Sequence, residues 1–365
     1  MAAIAAVALF ALPSCNLPAA TKNPAAASPS PAAAVGVTPI HLGAAHGAHG
    51  GWFDLYFTDP SSPLAPQHTG GLDGPLVQAI ESARLTIDLA IYDLTFYAIR
   101  DALLRAHHRG VRVRVATEGD NLARPASQAL IEAGIPVRSD SGPGLMHNKF
   151  MLIDQAVLWT GSLNYTTSGL YDDANSLIRI ASRRLVEDYA AEFDEMFEHG
   201  LFGDESVAKT PHPRVIMDGT PIDVYFSPDD GVEAALLDLI VNANRSIDFM
   251  SFTFTSDPLG SALRERAAAG IGVRGVMDSD QIVSGLGSEY SAFRQAGLDI
   301  RSDGLAGQMH HKVLILDGQV VVLGSYNFTR AAESRNDENL LVIYDGGIAA
   351  EFLAEFQRQF QRATP

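Results

Sequence analysis

Two stretches of the chain carry the same reactive side chains at the same spacing. The first runs Met146-His147-Asn148-Lys149 to Asp154 and, after six residues, Gly161-Ser162-Leu163-Asn164. The second runs Met309-His310-His311-Lys312 to Asp317 and, again after six residues, Gly324-Ser325-Tyr326-Asn327. Histidine titrates near neutrality, so it can serve as nucleophile, acid or base. Lysine brings a positive charge, and the asparagine amide can donate to an anion. A His and a Lys two positions apart at the start of a strand share one face. Glycine ahead of the serine lets backbone approach a ligand closely. Two such sets brought face to face would surround one tetrahedral phosphate with Lys149, Lys312, Asn164 and Asn327. Ser162 and Ser325 are expected as further phosphate ligands. His147 and His310 would then flank the phosphorus for in-line displacement. One neutral imidazole attacks and becomes covalently phosphorylated. The other protonates the leaving alkoxide and then activates water. The set holds no carboxylate–histidine pair at metal spacing, and a charged lysine is a poor ligand, so neither metal nor cofactor is expected.

The elements that must position these residues also come twice. Phe53-Asp54-Leu55-Tyr56-Phe57 returns as Ile222-Asp223-Val224-Tyr225-Phe226. PLVQAIESAR (75–84) and VEAALLDLIVNA (232–243) have helical spacing of apolar residues. Strand-like runs follow at 85–94 and 246–254, then second helices at 97–110 and 258–270, each stopping at a glycine. Further strands are expected at 111–117 and 271–278, and a third helix ends in Ala133-Gly134 and in Ala296-Gly297. Helices alternating with short apolar strands predict an α/β fold. The duplication predicts two similar α/β/α lobes about a pseudo-twofold axis, with the site between them. The expected boundaries are 51–204 and 219–365 for the lobes, with 205–218 linking them.

The doubled H-x-K-x4-D-x6-G-S-x-N closely resembles the phospholipase D superfamily and its HKD motif, over residues 51 to about 362. The resemblance implies a metal-independent phosphoric diester hydrolase working through phosphohistidine, with His147, His310, Lys149, Lys312, Asp154 and Asp317 in the catalytic set. Asp154 and Asp317 follow an apolar strand, which suits fixing a loop more than touching phosphate. The family usually adds an acid that orients the histidine. Glu338, in Asn336-Asp337-Glu338-Asn339, matches it in the second copy. The same count in the first copy lands on Asn175, with Asp173 the nearest acid. The resemblance implies that His147 attacks and His310 is the acid, but the first copy's missing acid leaves that order open. His311 falls at the variable position and is expected to turn away. Tyr92 and Phe252 read as core, and His107 and His108 as solvated residues near a helix end.

The bulk numbers narrow the substrate. The 365 residues carry a net charge of −17, which disfavours a body built to bind polyanions. Residues 4–12 are an apolar run of signal-peptide length, and Leu12-Pro13-Ser14-Cys15 resembles a bacterial lipobox, although no Lys or Arg precedes the run. A signal segment over 1–15 is therefore expected, with an acyl anchor on Cys15 and a place in the bacterial cell envelope, anchored or secreted. The Ala/Pro/Gly-rich residues 16–50, including His41, His46 and His49, read as a solvated tether. Phospholipid at a membrane surface is the expected substrate, giving phosphatidic acid and a free alcohol. The alternatives are a nuclease of the same superfamily and a phosphatidyl transferase of cardiolipin synthase type. A chain holding both half-sites needs no protein partner, so a monomer is expected.

Overall fold

The computed structural model describes residues 37–364. The expectations for the apolar run and for Cys15 fall outside the described residues.

Each lobe is a mixed sheet with helices packed on it. The strands of the first are β1 (Thr38–His41), β2 (Ala45–His49), β3 (Phe53–Thr58), β4 (Thr86–Ile91), β5 (Arg112–Thr117), β6 (Val137–Ser139), β7 (Lys149–Ile153), β8 (Val157–Gly161) and β9 (Ser176–Ala181). Those of the second are β10 (Arg214–Met217), β11 (Thr220–Ser227), β12 (Ser246–Ser251), β13 (Gly272–Met277), β14 (Asp299–Ser302), β15 (Lys312–Leu316), β16 (Val320–Gly324) and β17 (Glu338–Ile343). The sheet orders are β1-β2-β3-β9-β8-β7-β4-β5-β6 and β10-β11-β17-β16-β15-β12-β13-β14. From β3 and β11 onward the two orders match strand for strand. The duplicated sequence has therefore folded into two similar lobes.

The helices are α1 (Asp73–Ser82), α2 (Tyr97–His108), α3 (Pro125–Glu132), α4 (Thr167–Tyr171), α5 (Arg183–Asp194), α6 (Val232–Asn242), α7 (Asp257–Ala268), α8 (Ser279–Ser284), α9 (Tyr290–Gln295), α10 (Arg330–Ser334) and α11 (Gly346–Arg362). Parallel neighbours cannot be joined by a tight turn, so α2 and α7 carry the chain from β4 to β5 and from β12 to β13. Strands β4 and β12 are buried apolar runs with one aspartate each. Asp88 and Asp248 are tolerated there because Arg114 and Arg274 on the next strand pair with them at 2.7 Å.

The long helices α5 and α11 bring the lobes together. Ser182 caps α5 by accepting from the Leu185 N–H, and Asp345 caps α11 by accepting from Gly347 and Ile348. Buried residues recur on one face of each: Leu185, Val186, Tyr189 and Phe193 on α5, and Ile348, Phe352, Phe356 and Phe360 on α11. Tyr189 packs edge-on against Phe226 of the other lobe, and Phe352 against Phe57, with ring centroids 5.0 and 5.1 Å apart. One apolar core thus draws on both sheets, flanked by an outer core in each lobe. Burying each such large side chain contributes about 1.5–3 kcal/mol, so this core holds the two half-sites in register.

Three expectations are corrected. The segment read as a tether up to residue 50 is folded from residue 38, since β1 and β2 extend the first sheet through β3. Its alanines and glycines fit there because backbone pairing needs no large side chain, and at Gly47 a Cβ would meet the Leu55 carbonyl at 1.9 Å. Within the expected linker 205–218, Arg214–Met217 is an edge strand paired with β11. The expected third helix of the second lobe is two short helices, α8 and α9, parted by a glycine-containing turn.

Candidate active site

The two motif histidines stand just before β7 and β15, where the chain of each lobe reaches the other. Met146 bridges Asp337 and Met309 bridges Ala174, both as isolated parallel pairs between lobes. The His147 N–H donates to the Asp337 carbonyl at 3.0 Å, and the His310 N–H to the Ala174 carbonyl at 2.9 Å. On the other side, Glu118 accepts from the Met146 N–H at 2.9 Å, and Asp278 from the Met309 N–H at 3.0 Å. Each histidine backbone is therefore held between a carboxylate of its own lobe and a carbonyl of the opposite one.

This crossing decides which group orients which ring. His147 Nδ1 donates to Glu338 Oε2 at 2.7 Å, and His310 Nδ1 donates to Asn175 Oδ1 at 2.9 Å. The Asn175 amide nitrogen donates to the Gly169 carbonyl at 2.9 Å, which turns its oxygen toward His310. Both rings are thereby set with Nδ1 protonated and Nε2 free. The orienting groups act across lobes, so the acid read as missing beside His147 is present there. It is His310 that has only an amide. Asp173, the nearest acid in sequence, instead accepts from the Gln308 N–H at 3.0 Å.

Lys149 and Lys312 are each 2 % exposed. Each donates to the carbonyl of its motif histidine two residues earlier, at 2.8 and 2.9 Å. Their ammonium groups lie 5.0 Å from the Tyr92 ring and 4.9 Å from the Phe252 ring. Those rings also pack on His147 and His310, at centroid distances of 5.0 and 4.9 Å. Tyr92 and Phe252, read as core, are half-buried walls of the site, because β4 and β12 end there and the chain turns outward. The Asn164 and Asn327 side chains are half-buried, and their Oδ1 atoms have no protein partner.

Two pairs of expected site residues are placed elsewhere. Ser162 and Ser325 are fully buried. The Ser162 hydroxyl donates to Asn175 Oδ1 at 2.8 Å and accepts from the Ser176 N–H at 3.1 Å. Ser325 Oγ accepts from the Asn339 N–H at 3.0 Å. They brace the strands that carry the orienting groups and are not aimed at a phosphate. Asp154 and Asp317 lie beyond the far ends of β7 and β15, roughly 20 Å along the chain from the histidines at about 3.3 Å per residue. Asp154 accepts from the N–H groups of Arg84, Leu85 and Thr86, and Asp317 from those of Asn244, Arg245 and Ser246. Burial pushes both carboxyls up, but these backbone bonds outweigh it and hold them below the ordinary value. Each carboxylate thus pins a turn at the end of its strand away from the motif histidine.

His311 is fully buried and faces Glu355 of α11 at 3.6 Å, away from the His310 environment, as its position suggested. Of the segment read as a tether, His46 lies 3.3 Å from Glu355 and His49 pairs with Asp54. A buried polar seam passed unnoticed in the sequence. Asn339 donates to Asn148 at 2.7 Å and accepts from Thr160 at 2.7 Å and from the Tyr189 hydroxyl at 3.2 Å. Glu118 and Asp278 were missed as well, although both sit at matched places just after β5 and β13.

Burial dominates the electrostatics. It lowers the His147 pKa to about 4, with Glu338 resisting and the two lysines adding to the fall. His310 is pushed well below its ordinary value by burial and then by Lys312, Lys149, His147 and His311. Burial takes Lys149 down to about 7 against the pull of Glu338 and Asp93, and Lys312 well below its ordinary value. Basic groups buried this close together favour an anion beside them, whose entry stabilises the protonated forms.

The family whose sequence model is described as "cardiolipin synthase, PLD-like domain" matches residues 76–197 and 236–361, more than half of the chain and one match per lobe. Among curated proteins, the mitochondrial cardiolipin hydrolase of Chlamydomonas reinhardtii is 39% identical over 126 residues, covering 34% of this chain and 54% of that protein. A phospholipase D of Rickettsia prowazekii (strain Madrid E) is 38% identical over 116 residues, covering 31% and 57%. The chain thus spans little more than half the length of these relatives. Among solved structures, the phosphatidylserine synthase of Haemophilus influenzae Rd KW20 aligns with a TM-score of 0.63 at 12% identity, over 80% of this chain and 85% of that one, a likeness of fold.

Proposed function

We propose, because the chain belongs to the phospholipase D-like family of phosphodiesterases, that it hydrolyses a phospholipid headgroup ester to phosphatidic acid and a free alcohol. The observation that carries this reading is the pair of buried imidazoles, each oriented from the opposite lobe and each followed by a buried lysine. In the first step His147 Nε2 attacks phosphorus, the bond to the headgroup oxygen breaks, and protonated His310 passes its proton to that oxygen. In the second step water attacks the phosphohistidine, His310 takes the water proton, and the P–N bond breaks. Lys149, Lys312 and the amides of Asn164 and Asn327 hold the non-bridging oxygens.

The orienting groups support an order of roles. A phosphorylated imidazole carries positive charge, which the Glu338 carboxylate stabilises and an amide oxygen does not. His147 is therefore the nucleophile. His310, with its depressed pKa, readily gives up a proton once the anionic substrate has helped load it. The lipid substrate is supported by the net charge of −17 and by the phospholipid-acting names of the relatives. The proposed setting is the bacterial cell envelope, through an acyl chain on Cys15 or by secretion, and palmitate-analogue labelling of wild type against Cys15→Ser tests it.

The deciding experiment incubates wild type, His147→Ala and His310→Ala with phosphatidylcholine, phosphatidylglycerol and single-stranded DNA, each in EDTA. Phosphatidic acid is expected from wild type alone. Cleavage of DNA with no lipid product replaces this reading with a nuclease. Phosphatidyl transfer to added glycerol in preference to water replaces it with a transferase.

A further inference from the structure

The lobes differ beside the site, just after β5 and β13. Glu118 and Asp278 are equivalent, as are Ala133 and Ala296, yet the second stretch is longer and is broken by Gly285-Leu286-Gly287. Both ends of the loop between are fastened to the segment that forms the His310 wall. At its start, the Asp278 N–H donates to the Ser251 carbonyl at 3.1 Å, and Thr253 donates to Gln281 Oε1 at 3.1 Å. At its end, the Glu289 N–H donates to the Phe254 carbonyl at 3.0 Å, while the Glu289 carboxylate pairs with Arg264. Phe252 lies within this fastened segment, against the His310 ring.

Between those anchors stand Val283, 88 % exposed, and Leu286, 96 % exposed. No other large apolar side chain among the described residues exceeds 68 %. Gly287 turns the tip through a positive φ of 80°, which leaves Leu286 projecting between two residues without side chains. Aliphatic groups held in water next to a reaction site mark a contact surface. From 279 to 288 the only charged residue is Asp280, with no Lys or Arg. On a body of net charge −17, such a tip suits an uncharged, water-poor surface and not a polyanion. No helix among the described residues is long and apolar enough to cross a membrane.

We propose that loop 279–289 is a lipid-docking tip, inserting Val283 and Leu286 into the surface of a zwitterionic phospholipid bilayer and so bringing the His310 side of the catalytic mouth to its substrate. The proposal rests on the lipid reading above. Both tryptophans, Trp52 and Trp159, are buried, so a tryptophan placed at the tip reports on the tip alone against a steady background.

The test uses the full chain in a Cys15→Ser background, so that no acyl chain masks the loop. Leu286→Trp is titrated with phosphatidylcholine vesicles while its emission is followed, and Val283→Asp/Leu286→Asp is compared with its parent by vesicle flotation. A blue shift of the tryptophan, and roughly tenfold weaker flotation of the double variant, are expected. The same double variant should lose activity on vesicles to a similar degree yet keep its turnover of bis(p-nitrophenyl) phosphate. An unshifted emission, as for a tip that docks on a protein, or flotation indifferent to the two aspartates, overturns the inference. If the parent nevertheless hydrolyses detergent-dispersed lipid, the proposed function survives that outcome. A parent that hydrolyses the soluble diester but lipid in neither form sinks both.

Discussion

The two half-sites are built from one repeat but are not electrically equal. His147 is backed by the Glu338 carboxylate, His310 by the neutral amide of Asn175. Behind them the halves differ again, in the opposite sense. At the residue after each histidine, Asn148 lies 3.4 Å from Glu192, while His311 lies 3.6 Å from Glu355. Burial raises Glu192 well above its ordinary pKa, aided by Asp337 and other carboxylates. Burial would raise Glu355 too, but His311, Arg358 and His46 bring it down to about 2. Duplication supplied two copies of one pocket wall. Placing a carboxylate in direct contact with only one imidazole supports the proposed direction, in which one ring carries the phosphoryl group and the other moves protons.

The strongest way to break this comparison is to remove each ring. His147→Ala should lower kcat on the order of 10⁴-fold or more on every substrate, because no other group can accept the phosphoryl group. His310→Ala should lose as much on lipid but less on bis(p-nitrophenyl) phosphate, whose leaving group needs no proton, and should accumulate phosphohistidine. Acid-labile phosphoprotein in the second variant and none in the first is the expected pattern. The reverse pattern exchanges the roles.

Exchanging the orienting groups comes next. Glu338→Gln keeps the shape but removes the charge, and kcat should fall roughly 100-fold or more. Asn175→Asp places a carboxylate beside His310 and raises its pKa. The protonated acid then persists to higher pH, and the alkaline limb of kcat should move up by roughly one unit. An unmoved limb means that His310 is not the acid.

A smaller effect comes from Lys149. Its lowered pKa of about 7 means that the free site holds this charge below pH 7 and loses it above. The kcat/KM profile should therefore decline above about pH 7, by roughly tenfold per unit, while Lys149→Arg, always charged, should flatten that decline at a lower plateau.

The least effect on chemistry is expected at Asp154 and Asp317. Asp154→Ala and Asp317→Ala should each lower stability in urea by about 1–2 kcal/mol, a figure reduced for their partial exposure, and leave turnover within a few-fold. Their carboxyls are depressed in the fold. Their contribution should thus be complete above the unfolded carboxylate pKa of about 3.9 and fade as pH drops through the lower folded value. A hundredfold loss of kcat in either variant would restore them to the catalytic set.

Much of this protein is written in local spacing. The His-x-Lys pairs, the closing Asp and the Gly-Ser-x-Asn are set by the chain itself, because a strand's pleat fixes which neighbours share a face. The same holds for the recurrence of helices and strands that predicted two α/β lobes. Partners across lobes obey no such rule. Counting along the second copy paired Glu338 with His310, whereas packing of α5 and α11 into one core swings each β9- or β17-type strand beneath the other lobe's histidine. Ser162 and Ser325 read as ligands because their spacing beside Asn164 and Asn327 is invariant, but burial turned their hydroxyls to neighbouring strands. Residues 38–49 read as a tether because composition registers side-chain bulk, while a sheet edge accepts any backbone that can pair. Sequence alone determined the paired histidines, lysines and asparagines, since covalent order sets type and interval. Only the tertiary structure decided which carboxylate stands behind which imidazole, because that contact depends on how two separately legible surfaces bury each other.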